Sequence, residues 1–76
     1  MPTVTWYFEQ QPDGGFLMWC EEDPKRPLPA RNLAELRQQC LVNSILEEPF
    51  IDICIQLEKG GKATVTVPLP GRFSIG

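Results

Sequence analysis

Hydrophobic and polar residues alternate from Thr3 to Glu9, with Val4, Trp6 and Phe8 on one side and Thr3, Thr5 and Tyr7 on the other. A period of two is the signature of a strand that rests one face on a core. Phe16 to Glu21 repeats the pattern. Between the two runs lies Gln10-Gln11-Pro12-Asp13-Gly14-Gly15, where proline presets a turn dihedral and glycine accepts positive φ without steric cost. The spacing predicts a β-hairpin. Pairing Phe8 with Phe16, Trp6 with Met18 and Val4 with Cys20 puts the bulky even-numbered side chains on one face and gathers Tyr7, Leu17 and Trp19 on the other.

Glu22 to Arg31 contains Pro24, Pro27 and Pro29, each of which removes a ladder donor; this excludes a central strand and predicts an extended connector. Asn32-Leu33-Ala34-Glu35 has the form of a capping box, and Leu33, Leu36, Cys40 and Leu41 follow at helical spacing, joined by Ile45 if the helix passes Asn43-Ser44. Pro49 is its firm stop. Phe50 to Glu58 alternates again, with Ile51, Ile53, Ile55 and Leu57 on one side, and predicts a third strand. A bulged turn at Lys59-Gly60-Gly61 would pair it with Lys62 to Val67, setting Leu57 on Ala63, Ile55 on Val65 and Ile53 on Val67. The expected order is ββαββ, an α+β fold whose four-stranded antiparallel sheet carries one helix on one face. Its core would join Trp6, Phe8, Phe16, Met18, Ile51, Ile53, Ile55 and Val65 to Leu33, Leu36 and Cys40.

A chain of 76 residues holds one hydrophobic core, so residues 1–76 are read as a single domain, with 70–76 an extended tail after Pro68 and Pro70. Such a core supplies only about 3–5 kcal/mol unless stapled or extended by association. Cys20, Cys40 and Cys54 are odd in number and widely spaced among apolar neighbours, the pattern of free thiols. The chain has no histidine and no C-x-x-C pair, and so predicts no metal site and no cofactor. Without an imidazole base or a phosphate-binding loop, only Cys40 or Cys20 offers a nucleophile. Both fall on the core face, where thiols are inert, so no catalytic residue and no enzyme are expected. No apolar run reaches the roughly 18–20 residues of a membrane span, and Met1-Pro2-Thr3 lacks the basic start of a signal peptide, so a cytoplasmic protein is expected. The net charge of −3 disfavours nucleic-acid partners. The acidic run Glu21-Glu22-Asp23 is cancelled by Lys25 and Arg26 and reads as a solvated loop at the rim of an interface.

One helix covers one side of a sheet, which leaves open the face bearing Thr5, Tyr7, Leu17 and Trp19. An exposed aromatic cluster marks an interaction surface, with Phe73 of the tail as a further contact; the competing reading docks Phe73 and Ile75 over that face as cover. The function expected is a non-catalytic protein-binding module acting stoichiometrically on a protein partner, as an inhibitor, an antitoxin-like protein or a phage anti-defence protein. A homo-oligomeric, for instance homodimeric, structural or accessory subunit is the second reading. A single-strand nucleic-acid binder that stacks bases on the aromatics is the third.

Asp13-Gly14-Gly15-Phe16, followed after a fixed connector by Asn32-Leu33-Ala34-Glu35-Leu36, resembles the hairpin-to-helix core of the HicB-like antitoxins, which carry a Gly-Gly-aromatic turn, a proline-containing stretch and a Thr-Leu-Glu-Glu-Ala helix start. The likeness spans Thr3 to Leu41. It implies a protein that neutralises a small RNA-cleaving toxin by covering its active surface. Ala30-Arg31-Asn32 stands here where the family has Gly-Asp-Thr.

Overall fold

The structure, a computed structural model, describes residues 2–68. Its elements run β1 (Thr3–Gln10), β2 (Phe16–Cys20), β3 (Leu28–Ala30), α1 (Leu33–Val42), α2 (Glu47–Gly60) and β4 (Lys62–Pro68). They form an α+β domain with a four-stranded antiparallel sheet in the order β3-β2-β1-β4 and two helices, one more than the sequence pattern predicts.

The β1–β2 hairpin forms as predicted but in a register shifted by two residues: Phe8 faces Met18, Trp6 faces Cys20 and Gln10 faces Phe16. The loop sets this. Gln11 N–H donates to Gly15 C=O at 2.7 Å and Gly14 N–H to Gln11 C=O at 3.0 Å, so Pro12-Asp13-Gly14 makes a three-residue turn with Gly14 at φ 93°. A shift of two keeps side-chain parity, and the even-numbered residues still share one face. Gly15 is required for space: a Cβ there would lie 2.9 Å from Ala30 C=O, where β3 crosses.

The segment Leu28–Ala30, predicted as a connector, adds to β2 as an edge strand, with Leu17 opposite Pro29. Parity explains how a proline fits. Glu21 N–H donates to Thr5 C=O at 2.9 Å, which with the Gln11–Gly15 bond makes odd residues of β2 the ones bonded to β1. Phe16 and Met18 therefore bond to Ala30 and Leu28, and Pro29 turns its nitrogen outward, where no donor is needed.

The predicted strand from Phe50 to Glu58 is a helix. Ile51, Ile53, Ile55 and Leu57 do alternate, but Phe50, Ile53 and Leu57 also stand three and four apart, and it is this stripe that packs inward. The end signals agree. Glu47 and Glu48 occupy the first turn, at the positive end of the helix dipole, and Pro49 sits where a missing N–H costs nothing. Lys59 lies in the last turn, and Gly61 caps it at φ 74°, its N–H donating to Leu57 C=O at 2.8 Å. The Lys59-Gly60-Gly61 segment predicted as a hairpin turn thus ends a helix instead. α1 begins where predicted, with the Asn32 side chain accepting from Glu35 N–H at 2.9 Å, though the Glu35 carboxylate reaches back to Arg31 N–H and not to that of Asn32; the helix ends at Val42, Asn43 caps it and Ser44 takes a left-handed φ of 66°.

β4 occurs where predicted but pairs with β1, not with residues 50–58: Phe8 faces Ala63, Trp6 faces Val65 and Val4 faces Val67. Both helices lie on the side of the even-numbered β1 residues, α2 across β4 and β1, α1 beside β3. The buried core is Phe8, Phe16, Met18, Ala30, Leu36, Cys40, Ile45, Ile53, Leu57, Ala63 and Val67, with Val4, Trp6, Leu28, Phe50 and Val65 packed around it. Three residues predicted for the core are not in it: Ile51, Ile55 and Leu33 are 55%, 46% and 50% exposed. On a helix only one stripe of Ile51, Ile53, Ile55 can face inward.

Ile53 and Ile55 would be equivalent on a strand and are opposite here. Ile53→Ala is expected to cost about 2–5 kcal/mol of stability, whereas Ile55→Ala should change it by about 0.5 kcal/mol or less. Urea unfolding of the two variants checks this, and equal losses would restore the strand.

Candidate functional site

The sheet face away from the helices is built by the odd-numbered residues of β1 and β2 and the even-numbered residues of β4. Neighbouring strands set them in rows. Tyr7 stands between Trp19 and Thr64, Glu9 between Leu17 and Lys62, and Thr5 beside Thr66; Pro29 of β3 extends the Leu17 row. Four residues predicted for the site, Thr5, Tyr7, Leu17 and Trp19, thus share this face and are half-buried. Phe73, the fifth, lies outside the described residues, as does Ile75, so neither tail contact nor tail cover is described.

Tyr7 and Trp19 stack across the strand pair with ring centroids 6.0 Å apart and planes 22° off parallel. Directly opposed residues in a bonded pair are spaced for such contact, which covers part of each ring and holds both upright. The Tyr7 hydroxyl donates to Glu21 Oε1 at 3.3 Å, and the negative charge of Glu21 pushes the phenol above its usual 10.0. Thr5 and Thr66 share a hydroxyl–hydroxyl bond at 3.0 Å. Lys62 Nζ lies 3.9 Å from Glu9 Oε2, a loose surface pair. The result is an apolar centre of Tyr7, Trp19, Leu17 and Pro29 with polar edges.

A second apolar surface lies on the outer side of the helices, and periodicity read as a strand conceals it. Among the described residues, Leu33, Leu41 and Val42 of α1, Ile51 and Ile55 of α2, and Leu46 between them are the large aliphatics most open to solvent, with exposures of 39–73%. Helical spacing from Glu47 onward is the signal that finds Ile51 and Ile55. Arg37 reaches from α1 to the Glu47 carboxylate beside this surface, and Arg31 N–H and guanidinium both bond Glu35, whose carboxyl those hydrogen bonds hold below the ordinary range.

Cys20, Cys40 and Cys54 are free thiols. Burial pushes Cys40 up to about 12, and burial with the nearby Glu58 charge raises Cys54, the reverse of nucleophile activation. The cleft beside Cys54 is lined by Gln10, Phe16, Leu33, Leu57 and Glu58, and Glu58 is the carboxylate whose charge raises the thiol. Among the described residues no group of three acidic or sulfur side chains is placed to hold a metal ion. No helix among them is long and apolar enough to cross a membrane.

Tyr7 is the chain's one tyrosine, so alkaline difference absorbance reports it alone. Its half-titration is expected above pH 10.0, and Glu21→Gln should bring it down toward that value. The sign follows from linkage: the neutral phenol is the form the fold favours, so this contribution to stability is complete below the unfolded pKa and is lost as pH rises through the folded one. A midpoint unmoved by Glu21→Gln would separate the two side chains in solution.

The chain matches no protein-family model, and no curated protein or solved structure is significantly similar to it.

Proposed function

We propose that this chain is a non-catalytic protein-binding module that acts stoichiometrically on a protein partner through the helix-free face of its sheet. The observation that carries this reading is the Tyr7–Trp19 stack, two large rings held on the side of the sheet that neither helix covers. Aromatic anchors ordered before binding lose little conformational entropy in a complex, and tryptophan and tyrosine dominate interface energetics. Leu17 and Pro29 widen the apolar centre, and Thr5, Thr66, Glu9 and Glu21 form a polar rim suited to hydrogen bonding. An inhibitor, an antitoxin-like protein and an anti-defence protein all work by such occlusion, and a HicB-like antitoxin role belongs to this class. Free thiols fit a reducing, cytoplasmic setting.

The exposed aliphatics of α1 and α2 favour a second reading, self-association through the helical layer into a structural or accessory oligomer. Base stacking on Tyr7 and Trp19 is disfavoured by the acidic Glu9 and Glu21 beside them and by the net charge of −3.

The test is capture of a partner from source-cell lysate with tagged protein, alongside light scattering of the purified chain, each repeated with Trp19→Ala. Loss of about 2 kcal/mol or more of binding to a stoichiometric partner, with the fold intact, is expected. Binding unchanged in Trp19→Ala would remove the sheet face as the site, and a self-assembled species abolished by Ile51→Glu would move the function to the helices.

A further inference from the structure

The strand register places two carboxylates at opposite corners of the Tyr7–Trp19 pair. Trp6 faces Cys20, and Glu21 N–H donates to Thr5 C=O at 2.9 Å, so Glu21 continues β2 opposite Thr5, two residues from Trp19 and on the same face. Glu9 lies two residues from Tyr7 in the other direction, opposite Leu17. Glu9 has a loose partner in Lys62 at 3.9 Å. Glu21 is exposed, and among the described residues neither Lys25, Arg26 nor any other basic side chain forms an ion pair with it. Glu21 therefore carries the uncompensated charge of this face, in a chain whose net charge is −3.

Neither edge of the sheet offers a partner an unbroken row of backbone groups. The outward position of β3 is Pro29, which has no donor. On β4, Gln10 N–H donating to Gly61 C=O at 2.8 Å directs Ala63, Val65 and Val67 to β1 and leaves Lys62, Thr64 and Thr66 turned outward. The Gln56 side chain of α2 occupies the middle of that row. Thr64 N–H donates to Gln56 Oε1 and Gln56 Nε2 donates to Thr64 C=O, each at 3.1 Å.

On the open face, the Glu21 carboxylate stands at the hydroxyl end of the Tyr7 ring, with Oε1 3.3 Å from the hydroxyl. Its other oxygen makes no hydrogen bond among the described residues. A cation that lies against the rings and also bonds this carboxylate must present a flat surface to the first and in-plane donors to the second. Guanidinium does both, being planar, stacking on aromatic faces and carrying its N–H groups in its own plane, where they point past the rim of a ring. An ammonium is a compact, strongly hydrated charge with no such plane. We infer that the protein partner presents an arginine to this face, its guanidinium against the Tyr7–Trp19 pair and its N–H groups on Glu21. This rests on the protein-binding reading above and names the partner's chemistry: a basic surface with an exposed arginine, steered toward an acidic chain.

NMR titration of the full chain with N-acetyl-arginine amide and with N-acetyl-lysine amide, at matched ionic strength, tests this beside partner capture. The arginine probe is expected to shift the Tyr7 and Trp19 ring signals and the Glu21 amide, with about threefold or greater preference over the lysine probe. Glu21→Gln should weaken arginine binding about threefold, whereas Glu22→Gln, which removes the same formal charge one residue away, should leave it within about 1.5-fold. Both glutamates are exposed, so neither variant threatens the fold. Equal binding of the two probes, arginine shifts that avoid Tyr7 and Trp19, or equal effects of the two glutamine variants would overturn the arginine, and would leave the sheet face as the site wherever capture still depends on Trp19. Capture indifferent to Trp19→Ala would overturn the face itself and this inference with it.

Discussion

Everything in this domain depends on β1 being shared. Its odd residues give their backbone bonds to β2 and its even residues give theirs to β4, so one strand supplies the interior of the sheet on both sides. The same alternation sends Val4, Trp6 and Phe8 to the helices and Thr5, Tyr7 and Glu9 to the other face. Two facts about the edges follow from it: that Pro29 can sit in a strand, and that Thr64 needs a partner from α2. At the edges a proline removes one donor and Gln56 meets the groups of Thr64, while Lys62 and Thr66 turn theirs away from the sheet.

The helical layer completes the sheet by length as much as by packing. After α1 the chain turns at Ser44, buries Ile45 and starts α2, whose fourteen residues carry it along the sheet to Gly61, beside the end of β1. A left-handed glycine ends the helix and β4 begins at the next residue, so the cap also fixes where strand pairing starts. Ile53 and Leu57 lie on the sheet while Gln56, between them, reaches its edge. One helix therefore both covers the sheet and closes its side.

Much of this is legible in the sequence. The hairpin, the face carried by each of its residues, the Asn32 cap and the β4 strand can be read from period, turn residues and caps. So can the grouping of Thr5, Tyr7, Leu17 and Trp19, because face membership depends only on parity and survives a register shift of two. The region from Glu47 to Gly60 misleads because isoleucine at 51, 53 and 55 fits a strand while Phe50, Ile53 and Leu57 fit a helix, and the side chains alone do not decide. The decisive signals were at the ends: two glutamates and a proline at one, lysine and glycine at the other. A strand reading makes Gln56 one more polar residue on a face, so its bond to Thr64 has no counterpart in the pattern. Pairing of β4 with β1 is likewise invisible to local signals, since it is a choice of neighbour across the length of the chain.

That choice sets a timetable for the protein's synthesis. Thr3 pairs with Pro68 and Val4 with Val67, so β1, made before the other described strands, waits for the last of them. At roughly 5–20 residues per second the wait lasts several seconds, during which the hairpin holds Val4, Trp6 and Phe8 beside an unfilled edge. Contacts so distant in sequence are also slow to form once the chain is complete. The N-terminal hairpin is thus the part of the molecule most in need of protection while it is being made, and the strand that ends its exposure is the one whose far side Gln56 closes.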